Sequence, residues 1–435
     1  MRRKRLFCFS VILITAMLLC GCSFKIMSVT EVMRPPSVTG RKSGIHECIS
    51  ESVGKYTLKY PKSGEYRTAI IMKDLDFDGT EECVALYKPQ GAASGICVSI
   101  LSAEADEWKT EASFSDTSFE IDRVMFGDLN GDGKDDIIIG WGNYGVLPSK
   151  ITAYVNIEGS YCETSVEQSY NECVCGRFTD SKYDSIMMFT LGSSETSAKA
   201  SLITMNDQKT EIKLASATPL VSEVVSFDRI TYSHVTKDKY GVAAEGILAD
   251  GTRLTQLLYC EGKSTIHSFA NGGTRLLRRE NVCCTDIDLD GIIEIPVISA
   301  LKTEEDEDAC NTAVFVEWNV LNIEKENLVP KLYGVCDFAN GYMYTADENF
   351  SDNMTVRLSD SGEAVFYVWD SKAYVPKKGR QLFTIKVFDA QQWSSGTGAE
   401  GYSELISVND RCYAVKTESD SGYTAEDIKQ RILII

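Results

Sequence analysis

Phe126 to Gly140 reads FGDLNGDGKDDIIIG. Asp128, Asn130, Asp132 and Asp136 fall at positions 1, 3, 5 and 9 of a loop, with Gly133 at position 6 and Lys134 at position 7. Oxygen-bearing side chains at alternate positions of a tight turn converge on one point. A Gly at position 6 supplies the positive φ that the turn needs. The frame recurs in DLDFDGTEE, as Asp74, Asp76, Asp78, Gly79, Thr80 and Glu82. It recurs again in DIDLDGIIE, as Asp286, Asp288, Asp290, Gly291, Ile292 and Glu294. The side chains at positions 1, 3, 5 and 9, with the backbone carbonyl of position 7, make the oxygen-rich cage that calcium prefers.

Short apolar runs flank each loop: AIIM, VMF and VCC before, CVALY, IIIG and IPVI after. The context is therefore strand, loop, strand. An EF-hand has helices on both sides and a Glu at position 12. Here position 12 is Ala85, Ile139 or Val297, which excludes it. The plain alternative is three acidic hairpin turns without metal. Two charges about 4 Å apart repel by about 4 kcal/mol at an effective dielectric near 20. Three loops with the same crowding call for a cation.

At these residues the chain resembles the FG-GAP/VCBS repeat family, the calcium-loop blades of integrin-α-type β-propellers. Asp128 to Asp136, with Phe126-Gly127 before it, is the fullest match; the other two loops lack the Phe-Gly pair. In that family the metal loops lie on one edge of the propeller and ligands bind elsewhere on its face. The resemblance thus implies calcium as a structural ion and says little about a partner.

The loops begin at 74, 128 and 286, separations of 54 and 158. The second is close to three periods of about 53, so two degenerate copies are expected near 180 and 234. RFTDSKYDSIMMF, with Asp180 and Asp184, and ITYSHVTKDKYGVAAEGIL lie there. Each unit also carries a second hairpin. The turns fall at Ala105-Asp106, Glu158-Gly159, Asn206-Asp207, Glu261-Gly262 and near Asn322, between alternating runs such as ITAYVNIEGSYCETSV. Four strands per unit of about 50 residues is a propeller blade. The expected fold is mainly β: a β-propeller of about five to seven four-stranded blades over 41–335. Five units are legible from about 55 to 335, and flanking strands either close the ring or add a sixth.

After about Cys336 the period is lost. Asn353 to Asp370 reads as a hairpin turning at Asp360-Ser361-Gly362, Leu382 to Phe388 as a strand, and Glu404 to Thr417 as a hairpin turning at Asn409-Asp410. Thr424 and Asp427 cap a final helix running towards Ile432. This reads as a separate C-terminal α+β module over 336–435, with two degenerate blades as the alternative.

The N-terminus reads as a leader over 1–21. Arg2 to Arg5 are basic, and Leu6 to Leu19 is an apolar run too short to span a bilayer comfortably. Leu19-Cys20-Gly21-Cys22 resembles a bacterial lipobox. The resemblance implies cleavage before Cys22 and a diacylglycerol on its thiol; an ordinary secretory signal or short anchor is the alternative. Residues 22–40, with Pro35-Pro36, read as a tether. Ile45, Cys48, Ile49 and Val53 share one face of a short helix ended by Gly54.

The 435 residues carry a net charge of −19. Such a surface repels nucleic acid and anionic lipid and attracts cations. The 15 Cys lie mostly inside apolar strands, where Cys is a small hydrophobe. Cys173-x-Cys175 has no second ligand pair for zinc. His46, His234 and His267 are scattered. No nucleophile elbow, HExxH, phosphate loop or dinucleotide fingerprint occurs. Glu304 to Asp308 reads as a solvated acidic loop. The five Trp read as strand packing, with Trp141 the best candidate for a ligand platform. The reading is a lipid-anchored, extracytoplasmic, calcium-binding module on a bacterial cell membrane that binds a protein or carbohydrate and is not an enzyme. A propeller-based surface enzyme acting on carbohydrate or peptide, or an assembly subunit of a surface complex, are the alternatives.

Overall fold

The computed structural model describes residues 41–435 apart from 92–94, 105–106, 146, 195, 270–275, 305–312, 360 and 374. The leader over 1–21, Cys22, the tether, the turn at Ala105-Asp106, Asp360 and Glu305 to Asp308 lie outside the described residues.

Among the described residues six antiparallel sheets follow one another. The first holds β1 (Tyr56–Leu58), β2 (Ile70–Lys73), β3 (Glu82–Pro89), β4 (Ile96–Glu104) and β5 (Glu107–Asp116). β1 and β2 pair with opposite ends of β3 and together act as a first strand. The second runs β6 (Glu120–Gly127), β7 (Asp136–Gly142), β8 (Lys150–Ile157), β9 (Ser160–Glu167). The third runs β10 (Glu172–Gly176), β11 (Ser185–Thr190), β12 (Lys199–Met205), β13 (Ile212–Pro219). The fourth runs β14 (Val224–Thr236), β15 (Lys239–Leu248), β16 (Arg253–Glu261), β17 (Thr265–Phe269), with β18 (Leu277–Arg278) also on β16. The two degenerate repeat positions are thus the β10–β11 and β14–β15 connections.

The fifth sheet has the order β19 (Ile295–Ser299), β20 (Val314–Asn322), β21 (Asn327–Asp337), β22 (Tyr342–Ala346), β28 (Ile432–Ile434). Its first strand is reduced to a bridge between Thr285 and Glu294. The sixth has the order β23 (Met354–Leu358), β24 (Ala364–Asp370), β25 (Lys377–Asp389), β27 (Arg411–Thr417), β26 (Ser403–Val408).

The sheets stack face to face in chain order, which explains the continuous apolar runs of their second strands. In β7, Ile137 and Ile139 pack against Val84, Leu86 and Val98 of the first sheet, while Ile138 packs against Ile186 and Met188 of the third. A strand buried on both faces has no polar side to alternate with. Met187 and Phe189 meet Val242 and Leu258 of the fourth sheet, and Leu257 meets Ile295 and Leu321 of the fifth. Trp141 is fully buried in this core, so it packs and offers no ligand platform. The helix α1 (Arg41–Val53) covers the outer face of the first sheet with Ile45 and Ile49, and stops at Gly54, whose φ is +73°. Among the described residues no helix is long and apolar enough to cross a membrane.

Two readings of the C-terminal segment change. The boundary expected after 335 falls inside β21, and β22 and β28 belong to the fifth sheet. Phe315, Val335, Tyr342 and Tyr344 of the fifth sheet share one core with Val356, Phe366, Phe383 and Tyr413 of the sixth. The helices α2 (Phe350–Asn353), α3 (Ala390–Ser395) and α4 (Ala425–Lys429) are short. Thr424 and Asp427 do form a capping box on α4, yet the helix stops at Lys429 and Ile432–Ile434 is strand. β-Branched Ile432 and Ile434 suit a strand better than a helix, and β22 offers them an open edge.

Proteolytic cleavage at the β23–β24 turn is therefore expected to leave both fragments associated. They should co-elute in size-exclusion chromatography and separate only in denaturant. A stable free fragment of about 100 residues would instead mark an independent unit.

Candidate metal centres

All three acidic loops join a first to a second strand, and all three are built on one hydrogen-bond frame. The Oδ2 of position 1 accepts the N–H of the position-6 Gly: Asp74 from Gly79 at 3.0 Å, Asp128 from Gly133 at 3.0 Å, Asp286 from Gly291 at 2.8 Å. The Oδ1 of position 5 accepts the N–H of position 7, from Thr80, Lys134 and Ile292 at 2.7, 2.9 and 2.9 Å. The side chain of position 9 accepts the N–H of position 2, at 2.8 Å in Glu82, 3.0 Å in Asp136 and 2.9 Å in Glu294. The side chain of position 3 accepts the N–H of position 5. These bonds fix where the carboxylates stand.

The position-6 glycines have φ of +92°, +84° and +90°. Position 4 is left-handed too, at Phe77 (+59°), Gly131 (+77°) and Leu289 (+61°). Such a φ costs a non-Gly residue about 1–2 kcal/mol. Sequence reading missed this position, because only the second loop marks it with Gly.

The loops differ in what they bring together. Carboxylate oxygens of Asp286, Asp288, Asp290 and Glu294 lie within 4.8 Å of one another, and so do those of Asp74, Asp76 and Asp78. Glu82 stands outside the second of these sets. The second loop, fullest in sequence, forms no such set among the described residues. Asp136 is fully buried, and its two oxygens accept N–H groups from Leu129 and Asn156. Asn130 replaces a carboxylate and donates to the carbonyl of Asn156 at 2.9 Å. In the first loop Asp74 Oδ1 is buried with no hydrogen-bond partner. An unmet carboxylate oxygen beside two more carboxylates fits a hard cation.

Neighbouring loops are stitched together at this end of the sheets. The Asp135 N–H donates to Leu75 O at 2.7 Å, and Lys134 reaches Asp76 at 3.3 Å. Asp184 accepts the Asp128 N–H and donates its own to Asp128 O. A Cβ on Gly127 would meet Cys175 Sγ at 2.7 Å and Asp184 Oδ2 at 2.9 Å. A larger residue at 127 would therefore force Cys175 or Asp184 to move. Asp180 pairs with Lys239 at 3.2 Å and accepts the Gly262 N–H. Asp180 and Asp184 therefore act as sheet-to-sheet ties. His234 O accepts the Ile293 N–H at 2.9 Å, which ties the fourth sheet to the third acidic loop.

A cavity of about 640 Å³ opens among the first strands of the first four sheets. Tyr66, Phe126, Phe227 and Tyr232 supply rings to its wall. Lys73 pairs with Asp135 at 2.9 Å across the first two sheets, and Arg123 with Glu172 at 2.9 Å across the next two. Arg229 and Glu65 also line it, with no ion-pair or hydrogen-bond partner among the described residues. Sequence reading did not find these groups, most of which sit on ordinary first strands, with Glu65 and Tyr66 in the segment before β2 and Asp135 in the second acidic loop. The thiols nearby are unreactive: burial pushes Cys173 up to about 12 and Cys175 well above its usual value.

Burial raises the Asp136 carboxyl to about 7, with Asp132 and Asp128 adding to the rise and the N–H bonds opposing it. Burial also raises Glu82 and Glu294. Each binds a proton more readily folded than unfolded. Their stabilisation is present below the unfolded carboxylate range near 4 and is lost as pH rises through each folded value, which for Asp136 is about 7. Groups lowered by a cation, such as Glu363 beside Lys386, act in the opposite sense and lose stability only as pH falls through their own lower range. In chelator the melting temperature is therefore expected to fall between pH 5 and pH 7, and Asp136→Asn should flatten the fall. A rise over that window, read by calorimetry, would contradict the assignment.

No family model matches the sequence, and no curated protein matches it. Similar solved structures include Saccharomyces cerevisiae Sqt1, at 8% identity, with 83% of this chain and 98% of that chain covered and a TM-score of 0.33. The exotype rhamnogalacturonan lyase YesX is 9% identical over 75% of this chain and 74% of its own, with a TM-score of 0.30. A Lactobacillus plantarum protein is 8% identical over 75% and 94%, with a TM-score of 0.31. At this level of likeness the architecture rests on the strand order and registers above, and function on the site alone.

Proposed function

We propose that the chain is a calcium-stabilised, β-propeller-type binding module, held on the outer face of a bacterial membrane by a lipid on Cys22. The observation that carries the metal reading is the frame shared by the three loops. Backbone N–H groups fix the key carboxylates of all three loops, and in the first loop Asp74 Oδ1 is left buried and unmet. Asp74, Asp76 and Asp78 would hold one ion, with Glu82 moving in from outside that set, and Asp128, Asn130, Asp132 and Asp136 would hold a second once their oxygens draw together, with backbone oxygen from Thr80 and Lys134. Calcium supplies charge neutralisation there and no chemistry. Face-to-face stacking of consecutive sheets, with first strands side by side, supports the propeller reading.

The ligand site is the cavity among the first strands. Its rings suit the apolar face of a sugar, and the unpartnered Arg229 suits a carboxylate or other anionic substituent. An acidic carbohydrate is the class that uses both. The competing reading, a surface enzyme, needs a free acid–base pair. Of the lining acids, Asp135, Glu172 and Asp228 are each held by a cation, which leaves Glu65 as a single acid rather than a pair.

Three measurements test this. Extracellular calcium modules bind at about 10⁻⁴ to 10⁻³ M. Calcium at about 100 times the dissociation constant adds about 2.7 kcal/mol, so calcium should raise the melting temperature and chelator lower it. Asp132→Ala should remove part of that response and the Asp78, Asp132 double change most of it. Identical melting curves for metal-free protein with and without calcium would end the metal reading. Mass spectrometry of the mature N-terminus should find a diacylglyceryl group on Cys22; an unmodified N-terminus upstream of it would end the anchor. In a glycan-binding assay Arg229→Ala should lose at least about tenfold affinity for acidic glycans and little for neutral ones, and equal loss for both would reject the cavity.

A further inference from the structure

The third acidic loop already contains a cation. Lys331, on β21, places Nζ 2.9 Å from Asp288, 2.6 Å from Asp290 and 2.7 Å from Glu294. Glu294 is fully buried, and its second oxygen holds the Ile287 N–H. Both oxygens of Asp286 accept backbone N–H groups, from Asp290 and Gly291. An ammonium has three donors, and this one has three carboxylates around it.

The other two loops lack this arrangement. The cation near the first is Lys134, which touches one oxygen of Asp76 at 3.3 Å, with side chains 41% and 36% exposed. Such a surface pair contributes little. No Lys or Arg pairs with Asp128, Asp132 or Asp136 among the described residues. Lys331 is 24% exposed, and it touches a carboxylate with no exposure at all.

We infer that Lys331 is the resident cation of the third loop, holding that loop folded without metal and excluding calcium from it. This rests on the calcium reading only in its second half. An ion entering the loop must displace a tethered ammonium that cannot diffuse away. The ammonium also occupies the oxygens of positions 3, 5 and 9, three of the four side chains the ion needs. Two loops then respond to calcium, and the third is insensitive to it. The ammonium leaves the cluster with net negative charge, so the cluster stays attractive to cations once the lysine is gone.

The test uses the mature chain and its Lys331→Met and Lys134→Met variants. Equilibrium dialysis against radioactive calcium counts ions per chain, and calorimetry in chelator reads stability. Lys331→Met is expected to bind one more calcium than wild type, at least about tenfold tighter than any third ion on the wild type. It should melt lower in chelator and recover in calcium; Lys134→Met should gain no ion. If wild type and Lys331→Met bind the same number with the same affinity, Lys331 does not exclude calcium and the inference falls. If no protein binds calcium but Lys331→Met still melts lower in chelator, the calcium reading and the exclusion fall together while the resident cation stands. If Lys331→Met melts like wild type in chelator, the resident cation is wrong whatever calcium does. Should the variant not fold, acylation of wild-type lysines read by mass spectrometry decides. Lys331 should stay unmodified in chelator while Lys134 reacts, and equal rates would overturn the inference.

Discussion

Carboxylates set close together on a turn repel, and most features at the loop end of this molecule answer that repulsion. Backbone N–H groups point at the key carboxylates of all three loops. That is possible only because positions 4 and 6 are both left-handed. The turn geometry and the charge cluster are one device. The N–H groups are aimed by the same backbone that crowds the oxygens.

The same loops carry the connections between sheets. Leu75 accepts from Asp135, Asp128 exchanges bonds with Asp184, and His234 accepts from Ile293. A loop that splayed to relieve its charge would pull on the next sheet. The face-to-face cores set how sheets pack, and these polar ties join each to its neighbour at the loop end. Compensation of loop charge therefore reaches beyond the loop itself.

Much of this was legible in the sequence, for a physical reason. The acidic frame is local, and its spacing pointed to the degenerate units at the β10–β11 and β14–β15 connections. Turns such as Glu158-Gly159 and Asn409-Asp410 announce themselves by residues that tolerate positive φ. What was hidden depends on distant pairing. Lys331 stands 41 residues from Asp290 on a strand with no unusual local pattern. The fifth sheet's first strand shrank to a bridge, which no periodicity records. Asp184 looked like half of a shortened loop and proved to be a tie to the second one. The division placed after 335 failed as a strand boundary because the loss of a repeat period says nothing about which edge a later strand will join.

Pairing of Tyr342 with Ile434 has a consequence for how the chain acquires its shape. The fifth sheet is interrupted by the whole of the sixth and is completed by Ile432–Ile434, which follow it in the chain. A nascent chain can stack its first four sheets while synthesis continues, since each closes from consecutive strands. It cannot finish the fifth until Ile432–Ile434 have left the ribosome. Contacts of such long sequence separation form late. Until then β22 is an unpaired edge, open to any extended segment nearby. Ile432–Ile434 thus work as a latch that closes the fifth sheet only after the sixth has been made.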